Sequence, residues 1–416
     1  MSTFWQAALV FLLAAFALGL RFSKTFCGYQ FTAWIIAVVA AAMIYPAQFL
    51  HVGNFDMRNK WAMLIAIQLV MFGMGTQMSV KDFAGVAKSP RGVLVGIVCH
   101  FSVMPLVGLA LTKIFAFPSE IAAGIILIGS CSSGLASNVM AFMAKSNLAL
   151  SVTVTAITTM IAPIMTPLWM KWLTDTKDVP VSFFSMMVDI IKIVLVPIGA
   201  ALLHDYLKYA SPRGRKVVYG IATFAAAWIA FLIFGGWDFL KAQFADGALT
   251  AISLGGFLIS VFVIGPVYHA LAKRLAWLDK IMPRMAIVGI LYVTAMTTAS
   301  GRDNLLKVGV LLFVASILHN TAGYFFGYYL SRAAGLDRNS ARSIAFEVGL
   351  QNGGMASGLA SAMGKLGTVG LAAAIFIPWM NISGSVLANY WSKRPVKPER
   401  EKTERTEELA VDERRP

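Results

Sequence analysis

About thirteen hydrophobic runs, most of them roughly 18–25 residues long, fill this chain, and a helix of that length crosses about 30 Å of hydrocarbon. They lie near 4–20, 31–50, 60–77, 91–112, 119–144, 147–173, 181–206, 216–235, 247–272, 284–299, 304–330, 341–362 and 366–391. A helix satisfies its own backbone groups inside a bilayer, so the runs point to an all-α polytopic membrane protein. Composition agrees. Of the 416 residues, 58% are hydrophobic and 13% charged, too few charges to cover a soluble protein of this size.

Lys and Arg are divided unevenly between alternate loops. One set of loops, taken with the C-terminal tail, holds 25, and the other holds 9. Basic residues concentrate on the cytoplasmic side, which puts the tail (392–416) inside and the N-terminus outside. The first run carries its charges, Arg21 and Lys24, after the apolar stretch and shows no clear cleavage site, as an uncleaved span would. The tail mixes charges of both signs with few apolar residues and is expected to be disordered. The net charge of +15 arises in these loops and the tail and gives no sign of a nucleic-acid partner. Cys27, Cys99 and Cys131 have no metal or redox spacing and read as packing residues.

Two stretches interrupt the apolar pattern, Gly129-Ser-Cys-Ser-Ser-Gly-Leu-Ala-Ser-Asn138 and Glu347-Val-Gly-Leu-Gln-Asn-Gly-Gly-Met-Ala-Ser357. A shift of 219 residues sets His100 on His319, Ser133 on Asn352 and Gly134 on Gly353. Polar groups at membrane depth are costly, and paired interruptions in two halves of a chain point to a midplane binding site. Ser137 and Asn138 close the first break. The next run opens with Ser151 and Thr155, which share one helix face at i and i+4. Hydroxyl and amide oxygens suit a small hard cation, and a broken helix frees carbonyls to join them. Close helix packing is the competing reading; the adjacent break favours the cation. In the second stretch Glu347 precedes Gln351 by four residues, and no Lys or Arg follows Arg342 in that run. Its carboxylate therefore calls for a cation or a proton. His100 and His319 share a repeat-related role on this reading, and Asp189 and Lys192, at i and i+3, neutralise each other. Metal-hydrolase, Walker, dinucleotide and nucleophile-elbow motifs are missing, so nothing indicates an enzyme.

The pattern resembles the bile acid:sodium symporter family. It is carried by Met71-Phe-Gly-Met-Gly75 with Asp82-Phe83, by Gly134 to Asn138, and by Asn147 to Ser151 through Ala162-Pro-Ile-Met-Thr-Pro167. It continues in Ser300-Gly-Arg-Asp303, Leu318-His-Asn320, Phe346 to Asn352 and Asn381-Ile-Ser-Gly384, covering about 31–207 and 281–391. The resemblance implies two five-helix inverted repeats, which form a core and a panel domain with two broken helices crossing at the midplane. It implies a sodium site at Ser137, Asn138, Ser151, Thr155 and Glu347. A second would use Glu347, Gln351 and the carbonyls of Val348 and Leu350, with His100 where bacterial relatives commonly place a Gln. Asn352 and Asn381 match substrate-facing positions. Leu135 stands where relatives often carry Thr and Met380 where some carry His, which makes the implied cavity more apolar.

The family has ten helices and this chain has about three more. The resemblance divides it into an extra N-terminal helix (1–30), the first repeat with the start of the second (31–207), an inserted pair (208–280), the rest of the second repeat (281–391) and the tail. The extra helices are expected to pack on the panel or to join copies of the chain. The implied function is sodium-coupled symport in a bacterial inner membrane. The cargo would be an organic anion, whether bile-acid-like, pantoate-like or a 2-oxo acid. Proton coupling through His100 and Glu347 is one alternative, and a non-transporting membrane sensor is another.

Overall fold

The computed structural model describes residues 3–22, 29–174 and 179–396. Lys24, Cys27 and residues 397–416 lie outside it, and so does the reading of most of the tail as disordered. Nineteen α-helices follow one another among the described residues: α1 (Thr3–Gly19), α2 (Gln30–Ile44), α3 (Pro46–Leu50), α4 (Lys60–Gly75), α5 (Gly85–Lys88), α6 (Pro90–Ile114), α7 (Ser119–Ser130), α8 (Ala136–Met143), α9 (Leu148–Leu173), α10 (Phe183–Ile190), α11 (Val196–Tyr209), α12 (Pro212–Phe231), α13 (Trp237–Gln243), α14 (Asp246–Arg274), α15 (Leu278–Ser300), α16 (Arg302–Ala333), α17 (Arg338–Gly349), α18 (Gly353–Ala362) and α19 (Gly370–Ser392). A two-stranded hairpin, His51–Val52 with Phe55–Asp56, sits between α3 and α4.

Nine helical spans among the described residues are long and apolar enough to cross a membrane, with α10 and α11 (Phe183–Tyr209) counting as one and α12 and α13 (Pro212–Gln243) as another, or ten if α4 and the segment Val80–Lys88, bent by 62° from it, form one span. The chain is thus a multi-pass membrane protein. The count falls below the thirteen runs because α2 has 15 residues and two runs are pairs of half-length helices, α7 with α8 and α17 with α18. Helices α6, α9, α16 and α19 pack around these half-helices. A second group, α2, α4, α11 and α15, packs together and meets the first where α4 touches α18 and α15 touches α19. The outlying helices join this second group: α1 packs on α2, and α12 and α14 pack on each other with α14 against α11.

Between α10 and α11 the backbone widens into a π turn, Ile191–Leu195. Pro197 follows it and has no N–H to offer a carbonyl four residues back. Lys192 lies on this turn, and among the described ion pairs none joins it to Asp189, although its charge still acts on the Asp189 carboxylate. Lys192 Nζ lies 4.5 Å from the centre of the Phe257 ring on α14. Asp189 instead lines a cavity with Ser182, Ser185 and Lys365.

Candidate functional site: an oxygen cluster where two broken helices cross

Each broken run stops being helical where Ser, Gly or Asn follow one another, residues that favour caps and turns over helix interiors. The two breaks meet as a short antiparallel pair with Ser133 opposite Gln351. Gly134 N donates to Leu350 O at 3.0 Å, and Asn352 N donates to Ser132 O at 2.8 Å. A Cβ on Gly134 would lie 2.7 Å from Gln351 O, so this approach requires glycine. Asn352 then starts α18, its side-chain oxygen accepting from Met355 N at 3.0 Å.

The crossing brings five residues of three helices together: Ser137 and Asn138 on α8, Ser151 and Thr155 on α9, and Glu347 on α17. Glu347 is fully buried. Its Oε1 accepts from Ser151 Oγ at 2.5 Å and its Oε2 from Thr155 Oγ1 at 2.8 Å. The same two hydroxyls lie 2.9 and 3.2 Å from Asn138 Oδ1. Ser137 Oγ is 3.3 Å from Thr155 Oγ1 and donates to Gly134 O at 2.7 Å. Each hydroxyl carries one proton. The protons of Ser151 and Thr155 thus face three acceptors, both carboxylate oxygens and Asn138 Oδ1; the hydroxyls of Ser133 and Ser137 also face the carboxylate but have carbonyl partners of their own, Leu350 O and Gly134 O, so the acceptors still outnumber the protons. Among the described ion pairs, none includes Glu347. A buried oxygen cluster with more acceptors than protons is balanced by a hard cation or by a proton on the carboxylate.

The second set of expected ligands is held differently. His100 Nδ1 lies 2.9 Å from Glu347 O and its Nε2 lies 2.8 Å from Cys131 O, so the ring joins the two breaks. A ring with one N–H satisfies one of these carbonyls, and a ring with two satisfies both. Val348 O accepts from Gln351 Nε2 at 2.7 Å, and Leu350 O accepts from Gly134 N. His319 does not repeat the contacts of His100. Its Nε2 meets Met104 O at 2.8 Å, and the neighbouring Asn320 reaches the break, donating to Gly349 O at 2.8 Å.

The expected substrate residues are spread about the crossing. Asn352 is spent on its cap, and Asn381 Nδ2 donates to Ile377 O of its own helix at 2.8 Å. Met380 is buried and Leu135 half-buried. A narrow cavity between the two helix groups is lined by Ile67, Val70, Thr294, Gly354, Ser357 and Ile377, among others. None of the four expected residues lines it. Gly354 follows Asn352 by two residues, and Ile377 lies one turn before Asn381. Thr294 and Ser357 are thereby added as polar groups at the cavity; Ser357 closes the second polar stretch, whereas Thr294 lies outside both stretches.

The sequence profile described as the Sodium Bile acid symporter family matches residues 64–243. The uncharacterized sodium-dependent transporter YocS of Bacillus subtilis is 32% identical over 370 residues, which cover 89% of this chain and 92% of that protein. The probable sodium/metabolite cotransporter BASS1, chloroplastic, of rice is 26% identical over 365 residues, covering 88% and 73%. The human ileal sodium/bile acid cotransporter is 27% identical over 293 residues, covering 69% and 65%. Among solved structures, the sodium proton antiporter MjNhaP1 from Methanocaldococcus jannaschii at pH 8 shares the fold, with a TM-score of 0.53, 11% identity and coverage of 94% and 99%. With YocS aligned over nearly its whole length, and the motifs gathered where two broken helices cross, the chain belongs to the sodium bile acid symporter family.

Proposed function

We propose that the protein is a sodium-coupled symporter that imports an organic anion by alternating access. The observation that carries this is the excess of acceptors over protons at Glu347, Asn138, Ser151 and Thr155. A sodium ion there would bind α8, α9 and α17 at once and fix the crossing. Asn352 starts α18 directly beyond the crossing, so its cap and the backbone N–H groups after it would be held in place for the anion. The positive end of a half-helix favours negative charge. Asn381, Leu135 and Met380 would border the anion's path.

In this reading the two helix groups are the core and the panel of two inverted five-helix repeats, within 31–207 and 281–391, and the thirteen runs each cross or enter the membrane. The inserted pair (208–280) and the N-terminal helix (1–30) would be accessories at the panel or between copies. The membrane would be a bacterial inner membrane, with the N-terminus outside. Relatives named for sodium-dependent transport support the coupling. Bile-acid-like, pantoate-like and 2-oxo acids all remain candidate cargo, and nothing at the site suggests catalysis.

The test is uptake of a panel of such anions into proteoliposomes under an inward sodium gradient. Glu347→Ala and Asn138→Ala should each abolish sodium-stimulated uptake; unchanged stimulation in both would sink the assignment. A second reading, proton coupling, draws on the two carbonyls that His100 meets. Uptake that follows a pH gradient and ignores sodium would select it.

A further inference from the structure

We infer that the cargo is a short aliphatic monocarboxylate and that Thr294, Ser357 and the Gly354 N–H hold its carboxylate. This rests on the symport proposed above and names its cargo. It comes from the donors left over at the narrow cavity between the two helix groups. The start of a helix leaves four N–H groups without an intrahelical partner. At α18 three of them are used. Asn352 N donates to Ser132 O at 2.8 Å, Gly353 N to Gln351 O at 3.0 Å and Met355 N to Asn352 Oδ1 at 3.0 Å. Gly354 N has no acceptor among the described residues, and Gly354 lines the cavity. A Cβ there would lie 2.8 Å from Met71 Cε and 3.3 Å from Val70 Cγ1, so the absence of a side chain lets α4 come this close.

Thr294 on α15 and Ser357 on α18 line the same cavity. Each is only 2% exposed, and neither hydroxyl makes a hydrogen bond among the described residues. Buried polar groups find partners, so both hydroxyls call for one inside the cavity. A carboxylate only accepts, and it accepts from several donors at once. The positive end of α18 adds to its hold. The rest of the lining is aliphatic, with Ile67, Val70, Ile290 and Val293 on one helix group and Ile377 on the other. Such a wall gives a second charge nothing to pair with. The empty space comes to about 230 Å³, below the roughly 300–1,000 Å³ of a site for a drug-sized ligand, and a sterol acid is of that size. The cavity therefore favours a short apolar body over a rigid ring system.

The test is a ligand titration of the melting temperature of the purified full chain at saturating sodium, because a ligand that binds the folded state raises it. The probes are isovalerate, its neutral analogue isovaleramide, and taurocholate. Isovalerate should raise the melting temperature and the other two should not. Thr294→Val and Ser357→Ala should each weaken isovalerate binding by roughly tenfold or more, since each removes one hydrogen bond to a charge. The sodium midpoint measured without cargo should keep its wild-type value in both. A rise with isovaleramide that matches isovalerate, a rise with taurocholate, or no rise with isovalerate would each overturn the inference. So would wild-type isovalerate affinity in either folded variant. If one variant fails to fold, the other still decides, and so does the wild-type comparison of the three probes. Taurocholate that stabilises only with sodium would overturn the cargo and leave the coupling standing. Isovalerate that stabilises equally without sodium would overturn the coupling and leave the cargo site standing.

Discussion

Ser151 and Thr155 give Glu347 its two short hydroxyl bonds, and each hydroxyl can be removed without changing a charge. A hydrogen bond to a charged group contributes about 1.5–3 kcal/mol, so Ser151→Ala and Thr155→Val should each weaken sodium binding by roughly tenfold or more. A sodium titration of the melting temperature reads this directly. An unshifted titration midpoint in both variants would remove the hydroxyls from the ligand set. Gly134→Ala tests the crossing, since its methyl would press on Gln351 O; overpacking of this kind costs about 1–3 kcal/mol. Gly220→Ala, which meets nothing within 4 Å, should leave the melting temperature near that of the wild type and serves as the control. The shared face of Ser151 and Thr155 was legible in the sequence because four residues make about one helical turn. The position of His100 was not. Its ring meets carbonyls 31 and 247 residues away, and no local pattern reports a contact at that separation.

Helix ends carry their own instructions. Asp337 caps α17, accepting from Asn339 N at 2.8 Å and Ser340 N at 3.0 Å. Burial works to raise its pKa, but the bonds from the Ser340 side chain and from the two N–H groups outweigh burial and hold the carboxyl below its ordinary value. A depressed pKa gives stability that is present above the ordinary carboxylate range and is lost as pH falls through the folded value. Asp337→Ala should cost about 1 kcal/mol at neutral pH. Asp337→Asn should keep most of the cap and flatten the loss of stability on acidification below about pH 4. Melting curves across that range in detergent separate the two, and an acid limb unchanged in Asp337→Asn would refute the cap's share in it. The breaks themselves were readable, because Gly, Ser and Asn accumulate where a span should be apolar. The π turn before Pro197 was not read.

Across the molecule, the oxygen cluster draws on α8, α9 and α17, while α12 to α14 touch none of it. The inserted pair is fastened instead beside α11 and α15. His269 meets His204 at 3.2 Å, Tyr268 donates to Asp279 at 3.0 Å, and Lys208 pairs with Asp279 at 2.9 Å. Replacing residues 211–275 by a short flexible linker should therefore lower the melting temperature and preserve its response to sodium. A well-folded deletion protein that has lost the response would tie the pair to the site. Orientation is tested in the intact protein with Cys27, Cys99 and Cys131 replaced by Ser. A cysteine at Val52 should be labelled by an impermeant thiol reagent from outside and one at Ser211 only from inside; the reverse would invert the proposed topology.

Composition and periodicity were sufficient for the membrane, the helices, the two breaks and the oxygen-bearing faces, because each is a property of one segment against a uniform apolar solvent. Which groups of one segment meet those of another depends on how the helices cross and rotate. That geometry gathered Ser137, Asn138, Ser151, Thr155 and Glu347, gave the carbonyls of Glu347 and Cys131 to His100, and turned Lys192 toward Phe257. It also left Asn352 on a helix cap beside a narrow cavity.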